Sequence, residues 1–358
     1  MTVEQRLKAF ENLGIFLRQF KAIPQGDASI QYPELYNRLK ELIKSSQFSN
    51  GWFTEENVLH MFSSISISLS AENLKQWIKP YLPNLLLGTN SNKKVAVIMA
   101  GNIPMVGFND MLCVLISGNY FLGKVSSKDD KLLPLITEAL CAIEPEFKPY
   151  IEFTNHQLKD FNAVIATGSN TTATYFNYYF SKYPHIIRKN RNSIAILNGK
   201  ESKEELELLG KDIFQYFGLG CRNVSKLYVP KGYIFNSFYE AIEPYHYLLE
   251  HNKYANNYAY YRSILLLNKT PFLDNNFLIV KEDLSMHSPV ANIYYEYYIN
   301  EEHLAQRINQ TADGIQCIVS GNNNVVPQSL VFGHSQQPML WDYADGVDTM
   351  LFLINLKQ

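Results

Sequence analysis

"KVAVIMAGNIPMVGFNDMLCVLISGNYFLGKV", residues 94–125, decides the fold class. "VAVI" and "NYFLGKV" are short β-prone runs with no polar face, and "MVGFNDMLCVLIS" between them has the length of a helix. Strands apolar on both faces and separated by helices need cover above and below, which predicts a parallel, doubly wound α/β sheet. The alternation continues through "KLLPLITEALCAIE", "YIEFTN", "AVIATGS", "TATYFNYYFSKY" and "SIAILNG". Working back from Lys94, "VEQRLKAFENLGIFLRQF", "PELYNRLKELIKSS" and "TEENVLHMFSSISISLSAENLKQWIKPYL" carry apolar residues at helical spacing. Thr54 is placed to cap the last of these, with Glu55 and Glu56 at its positive end.

Working forward, a second α/β series opens near Glu201 with the helical "SKEELELLGKDIFQYFG". It runs through "KLYVP", "YRSILLLN", "NNFLIV", "ANIYYEYYI", "GIQCIVSG" and "SLVFG", read as strands, with "NEEHLAQRINQTA" helical. The expected organisation is a helical N-terminal segment plus a nucleotide-binding domain over residues 1–203. A second domain follows over 204–335, and a C-terminal segment, 336–358, packs back on the core. The tyrosines of "NNYAYYRS" and "IYYEYYI" read as packing surface, since no basic residues accompany them as a nucleic-acid platform would need.

Composition narrows the function. Of 358 residues 46% are hydrophobic and 18% charged, a globular balance, and a net charge of -2 gives no footprint for nucleic acid. No run approaches the roughly 18 uncharged apolar residues of a spanning helix. The first residues also lack the apolar stretch and small-residue cleavage site of a signal peptide. A cytoplasmic protein without a membrane span is the expectation. Cys113, Cys141, Cys221 and Cys317 are widely spaced, with no C-x-x-C and no metal-ligand pattern, so neither disulfides nor a metal site are expected.

No G-x-G-x-x-G follows any of these strands. Instead Asn102, in "AGNIP", follows the first strand, as a turn former or as an amide donor for an oxyanion. Lys124 ends the second strand, where a lysine can simply meet solvent. Gly168 and Ser169 stand at a strand-to-helix junction, where backbone N–H groups and a hydroxyl suit a phosphate. Cys221, in "GLGCRNVSKLYVP", lies behind Gly218 and Gly220, whose backbone freedom suits a sharp bend; it reads as packing or as a nucleophile.

The order of these pieces resembles the aldehyde dehydrogenase superfamily, whose motifs read P-W-N-x-P, G-N-x-x-x-x-K-P-S-E, x-x-G-S, E-L-G-G-K and G-Q-x-C. "AGNIP", "GNYFLGKVSS", "ATGS" and "GLGC" match four of the five, over about residues 15–335. "NGWFTEENVLHMF", "CRNVSKLYVP" and "FGHSQQPMLWDYADGVDTMLFL" further resemble the LuxC-type fatty acyl-CoA reductase branch. The resemblance implies two doubly wound α/β domains, Cys221 as nucleophile, and Asn102 with the Cys221 N–H as oxyanion donors. It also implies a nicotinamide cofactor on Lys124, Ser127, Gly168 and Ser169.

In the fifth motif, "RKNRNSIAIL" puts Arg188 where the hydrolytic members carry their water-activating glutamate. Without that base, an acyl-enzyme cycle that reduces a thioester is implied rather than one that oxidises aldehydes to acids. The substrate would be an acyl-CoA or an acyl-carrier-protein; an acyltransferase or thioesterase using the same Cys221 is the alternative. Ser127 stands where the family's ribose-binding glutamate would be, followed by Lys128, which favours NADPH over NADH. The E-x-F-G-P-V glutamate falls at Ser285, beside His287, a candidate proton donor. A homodimer is also implied, although only "LLLGTNSNKK", residues 85–94, stands where the family's dimerisation hairpin would be.

Overall fold

Residues 1–20, 30–86, 92–321, 326 and 329–356 are described by the structure, a computed structural model. The chain forms two compact units, Met1–Lys189 with Pro338–Gln358, and Asn190–Gln337.

In the first unit, β1 (Lys94–Ile98), β2 (Tyr120–Lys124), β3 (Ile151–Phe153), β4 (Ala163–Thr167) and β5 (His185–Arg188) form a sheet of order β3-β2-β1-β4-β5. All its pairings are parallel. Successive side chains on a strand point to opposite faces, so β1 is buried twice over. Val95 and Val97 join the large core with Phe10, Leu13, Phe62 and Met111. Ala96 packs instead with Leu122, Val164 and Ala166 beside Phe176 and Phe180. The N-terminal helices therefore cover one face of this sheet and share its core.

Local chemistry sets their ends. Thr2 and Gln5 form a reciprocal capping box at Val3–Arg18, and the Thr54 hydroxyl accepts from the Asn57 N–H at the start of Glu55–Ser68. Each such cap is worth about 1 kcal/mol. The segment after Pro338 returns to this unit, where Trp77 Nε1 donates to the Tyr343 hydroxyl at 2.7 Å and Tyr81 donates to Asp348 at 2.7 Å. Asp345 and Gly346 lie in the left-handed region and make the turn expected of Asp-Gly.

The second unit holds β6 (Asn192–Ile196), β7 (Val224–Pro230), β8 (Leu273–Asp274), β9 (Ile279–Glu282), β10 (Asn292–Tyr298), β11 (Ile315–Ser320) and β12 (Leu330–Val331). Their order is β12-β11-β6-β7-β10-β9-β8, with only β8–β9 antiparallel. "SIAILNG", which the sequence groups with the first series, supplies β6 and pairs with β7 and β11 here. An apolar strand fits either parallel sheet, so its composition does not choose between them. "YRSILLLN" is no strand: it closes the helix Asn252–Leu267, with Leu265 buried and Leu266 and Leu267 exposed. A short apolar run carries too few residues to separate the two periods.

Within "LLLGTNSNKK", residues 87–91 lie outside the described residues. Among the described residues no helix is long and apolar enough to cross a membrane.

Candidate active site

In the first unit β1 crosses over to β2 on one side and has β4 on the other, so the strand order reverses between β1 and β4. Ligands of open α/β sheets bind beyond the strand C-termini at such a reversal. Ile98 of β1 is in register with Lys124 of β2 and Ala166 of β4, so the three strands end level. Asn102, Lys124, Ser127, Gly168 and Ser169 therefore gather at one sheet edge, although they are spread over 68 positions of sequence. Asn102, Ser127, Lys128 and Ser169 are exposed and Lys124 is half-buried.

Ser169 caps the helix Asn170–Phe180: its hydroxyl accepts from the Thr172 N–H at 3.2 Å and pairs with the Thr172 hydroxyl at 2.9 Å. The helix opens directly after β4, and the N–H groups of a first helical turn have no carbonyl partner within the helix. A Cβ on Gly101 would come within 2.6 Å of Ser126 Oγ and 2.9 Å of Lys128 Cβ, so the Asn102 loop sits directly against the turn that follows Lys124. Helix N-terminus, lysine, hydroxyls and close-packed glycine loop are the donor set that a dinucleotide's phosphates and riboses need, and the residues present fit one.

Not every matched residue lies at this edge. Gly118 and Asn119 precede β2, at the opposite end from Lys124. Gly118 has φ +83 with the Arg6 guanidinium against it, and Asn119 Oδ1 accepts from the Lys93 N–H at 3.2 Å. Their work is to join helix to strand.

Arg188, at the end of β5, is 5% exposed. Its guanidinium donates to both oxygens of Asp110 at 2.5 and 2.7 Å and to the Thr349 hydroxyl at 3.0 Å. Burial acts to lower its pKa, but the paired carboxylate outweighs that and raises it. The group is a fixed cation tying the helix Phe108–Ile116 to the helix Thr349–Asn355, and it takes no proton from water. Asp110, its partner, has no signal in the sequence beyond an acidic residue in a helix's first turn.

The four cysteines separate by environment. Cys113 is wholly buried, and burial pushes its thiol well above the ordinary range; Cys141 and Cys317 are half-buried, and Cys221 is exposed. Thiol chemistry needs access, and Cys221 has it.

Cys221 belongs to the second unit, in the turn between the helix Lys203–Phe214 and β7. Tyr216, Phe217 and Gly218 have φ of 53, 57 and 77°, three left-handed residues in succession. For the two aromatics that is strain of about 1–3 kcal/mol each, and it persists where the surroundings over-determine it. Several contacts do so. Asn223 Nδ2 donates to the carbonyls of Asp212, Ile213 and Gln215, left over at the helix end, while its Oδ1 accepts from the Gly220 N–H at 2.8 Å. The Ser193 hydroxyl donates to the Cys221 carbonyl at 3.0 Å.

Arg222 does not rest in solvent: its Nε donates to the Ser335 carbonyl at 2.6 Å. The Asp212 carboxylate holds the same segment by accepting from the Gly333 and Ser335 N–H groups at 2.6 and 2.9 Å. Exposed His334 is thereby fixed beside the residue that Arg222 grips. His287 is tied elsewhere, its Nδ1 3.0 Å from Asn192 Oδ1. Asn223, Asp212 and Ser193 were not legible as site residues, because each acts by holding backbone.

No protein-family model and no curated protein matches the sequence. Solved structures do match. Aldehyde dehydrogenase 21 from Physcomitrella patens, in complex with the reaction product succinate, is 11% identical with a TM-score of 0.67, over 99% of this chain and 84% of that one. The chain has the aldehyde dehydrogenase fold. The NAD+ complex of an aldehyde dehydrogenase from Bacillus cereus is 13% identical, TM-score 0.61, over 90% of this chain and 72% of that one. An Escherichia coli NADP-dependent enzyme is 12% identical, TM-score 0.61, over 91% and 75%. At such identities what is shared is the fold, and chemistry is argued from the residues.

Proposed function

We propose that the protein is an NADPH-dependent acyl-thioester reductase, acting on an acyl-CoA or an acyl-carrier-protein and releasing an aldehyde. The observation that carries this reading is the pairing at Arg188. Where the hydrolytic members of the resembled superfamily hold a carboxylate to activate water, this chain holds a guanidinium fixed by Asp110. A nucleophilic cysteine with no base at that position suits a cycle in which one thiol displaces another, since no water has to be deprotonated.

In the proposed cycle the Cys221 thiolate attacks the thioester carbonyl, and Asn102 with the Cys221 N–H donates to the oxyanion. One such donor is typically worth about 3 kcal/mol of barrier. Collapse expels the carrier thiolate and leaves an acyl group on Cys221. The nicotinamide cofactor, when bound, supplies the hydride that reduces this acyl thioester. The resulting hemithioacetal breaks its carbon–sulfur bond, giving the aldehyde and restoring Cys221. Lys124 and the N-terminus of Asn170–Phe180 hold the dinucleotide, and Ser127 with Lys128 accommodates a 2′-phosphate.

The neighbours that bind NAD+ or are named NADP-dependent support a nicotinamide cofactor; Ser127 and Lys128 support its phosphorylated form. The test is consumption of NADPH on addition of acyl-CoA, followed by fluorescence, with equimolar aldehyde formed. Acylation of Cys221 without NADPH loss would favour the acyltransferase reading instead.

A further inference from the structure

The sequence motif "NGWFTEEN" begins with an asparagine that the proposed chemistry leaves without a role. Asn50 ends the helix Pro33–Ser49 and is 6% exposed. Its Nδ2 lies 3.3 Å from the Gly101 carbonyl and 3.3 Å from the Lys128 carbonyl, and its Oδ1 accepts from the Trp52 N–H at 3.2 Å. One buried amide thus joins the Asn102 loop to the turn after Lys124.

A second clamp acts from the other side. Asp129, 8% exposed, accepts from the Met105 N–H at 2.7 Å, and Met105 has φ +55, a conformation a methionine holds only under constraint. Asp129 is itself fixed by the tight turn in which its N–H donates to the Ser126 carbonyl at 2.9 Å. Burial pushes its carboxyl up to about 6, against the pull of the Met105 and Leu132 N–H groups.

We infer that Asn50 and Asp129 are positioning residues for Asn102: they fix the backbone at Gly101 and at Met105, on either side of it, and so set the direction of its amide. The inference rests on the proposed role of Asn102 as an oxyanion donor. An amide that must meet a charge developing in the transition state gains from a backbone that cannot turn, and small misplacements at such a position are costly in rate.

The experiment measures the rate of acyl transfer from saturating acyl-CoA to Cys221 without NADPH, by mass spectrometry. The proteins are the wild type, Asn50→Ala, Asp129→Leu, Asp129→Asn, Asn102→Ala and Asn50→Ala with Asn102→Ala. Circular dichroism checks each fold, and amide exchange of residues 99–107 reads the loop itself. The expected result is a loss of about 10- to 100-fold in Asn50→Ala and Asp129→Leu, with faster exchange confined to that loop. Asp129→Asn, which keeps an acceptor for Met105, restores most of the rate. In the Asn102→Ala background Asn50→Ala costs nothing further, which a general loss of stability would not produce.

Native rates in Asn50→Ala and Asp129→Leu alongside a slow Asn102→Ala would overturn this inference alone. Losses that multiply in the double variant would do the same. A native rate in Asn102→Ala would overturn the oxyanion reading and this inference with it. Should Asp129→Leu fail to fold, Asn50→Ala and the double variant decide the matter.

Discussion

Replacing Arg188 by methionine leaves the Asp110 carboxylate in a space where both partners are about 5% exposed, having lost two charge-assisted hydrogen bonds of 2.5 and 2.7 Å. Breaking a buried pair by removing one partner costs about 3–5 kcal/mol, because the remaining charge is stranded, and Asp110→Leu should cost a similar amount. Thr349 adds one 3.0 Å hydrogen bond, so Thr349→Val should cost about 1 kcal/mol. The double variant Asp110→Leu with Arg188→Met removes both charges and should recover most of the loss, so that the coupling between the two positions exceeds the cost of either single variant. Arg188→Glu sets two carboxylates face to face and should destabilise more than methionine does. Urea unfolding followed by circular dichroism measures each value. An Arg188→Met loss under about 1 kcal/mol, or a double variant whose loss is the sum of the singles, would refute the claim that this arginine is a structural cation.

Other consequences follow from the same geometry. Asp129 is raised from 3.8 to about 6, so between those values the folded protein keeps a proton that the unfolded chain has released. Its contribution to stability therefore falls as pH rises from about 4 to 6, by about 3 kcal/mol, and Asp129→Asn should remove that slope from the urea midpoint measured against pH. Ser127→Glu places a carboxylate where a 2′-phosphate is proposed to lie, so the KM ratio of NADPH to NADH should rise by at least about tenfold. Arg222→Ala frees the segment held through the Ser335 carbonyl. Amide exchange at residues 332–336 should quicken, and acylation of Cys221 should slow.

The chain's alternation of apolar strands with helices was legible because burial on both faces leaves no polar phase in a strand, as in "VAVI" and "AVIA". The strand ends were legible too: Lys124 closes a readable strand and Asn102, Gly168 and Ser169 follow one, and parallel pairing then brings strand ends together. What composition does not encode is partnership at a distance. Nothing in "SIAILNG" says which sheet receives β6, and nothing in "RSILLL" marks the end of a helix. Arg188 was visible as a departure from a motif, but its role depends on Asp110, 78 residues earlier, and Thr349, 161 residues later. Asn50, Asp129, Asn223 and Asp212 bond mainly to backbone, which carries no sequence of its own.

The most direct test uses no cofactor. Purified protein is mixed with a long-chain acyl-CoA, digested, and read by mass spectrometry beside Cys221→Ala. A single acyl adduct on Cys221, accompanied by one equivalent of free CoA and discharged as aldehyde when NADPH is added, is the expected result. Thioester reduction at an undiminished rate in Cys221→Ala would contradict the account at its root.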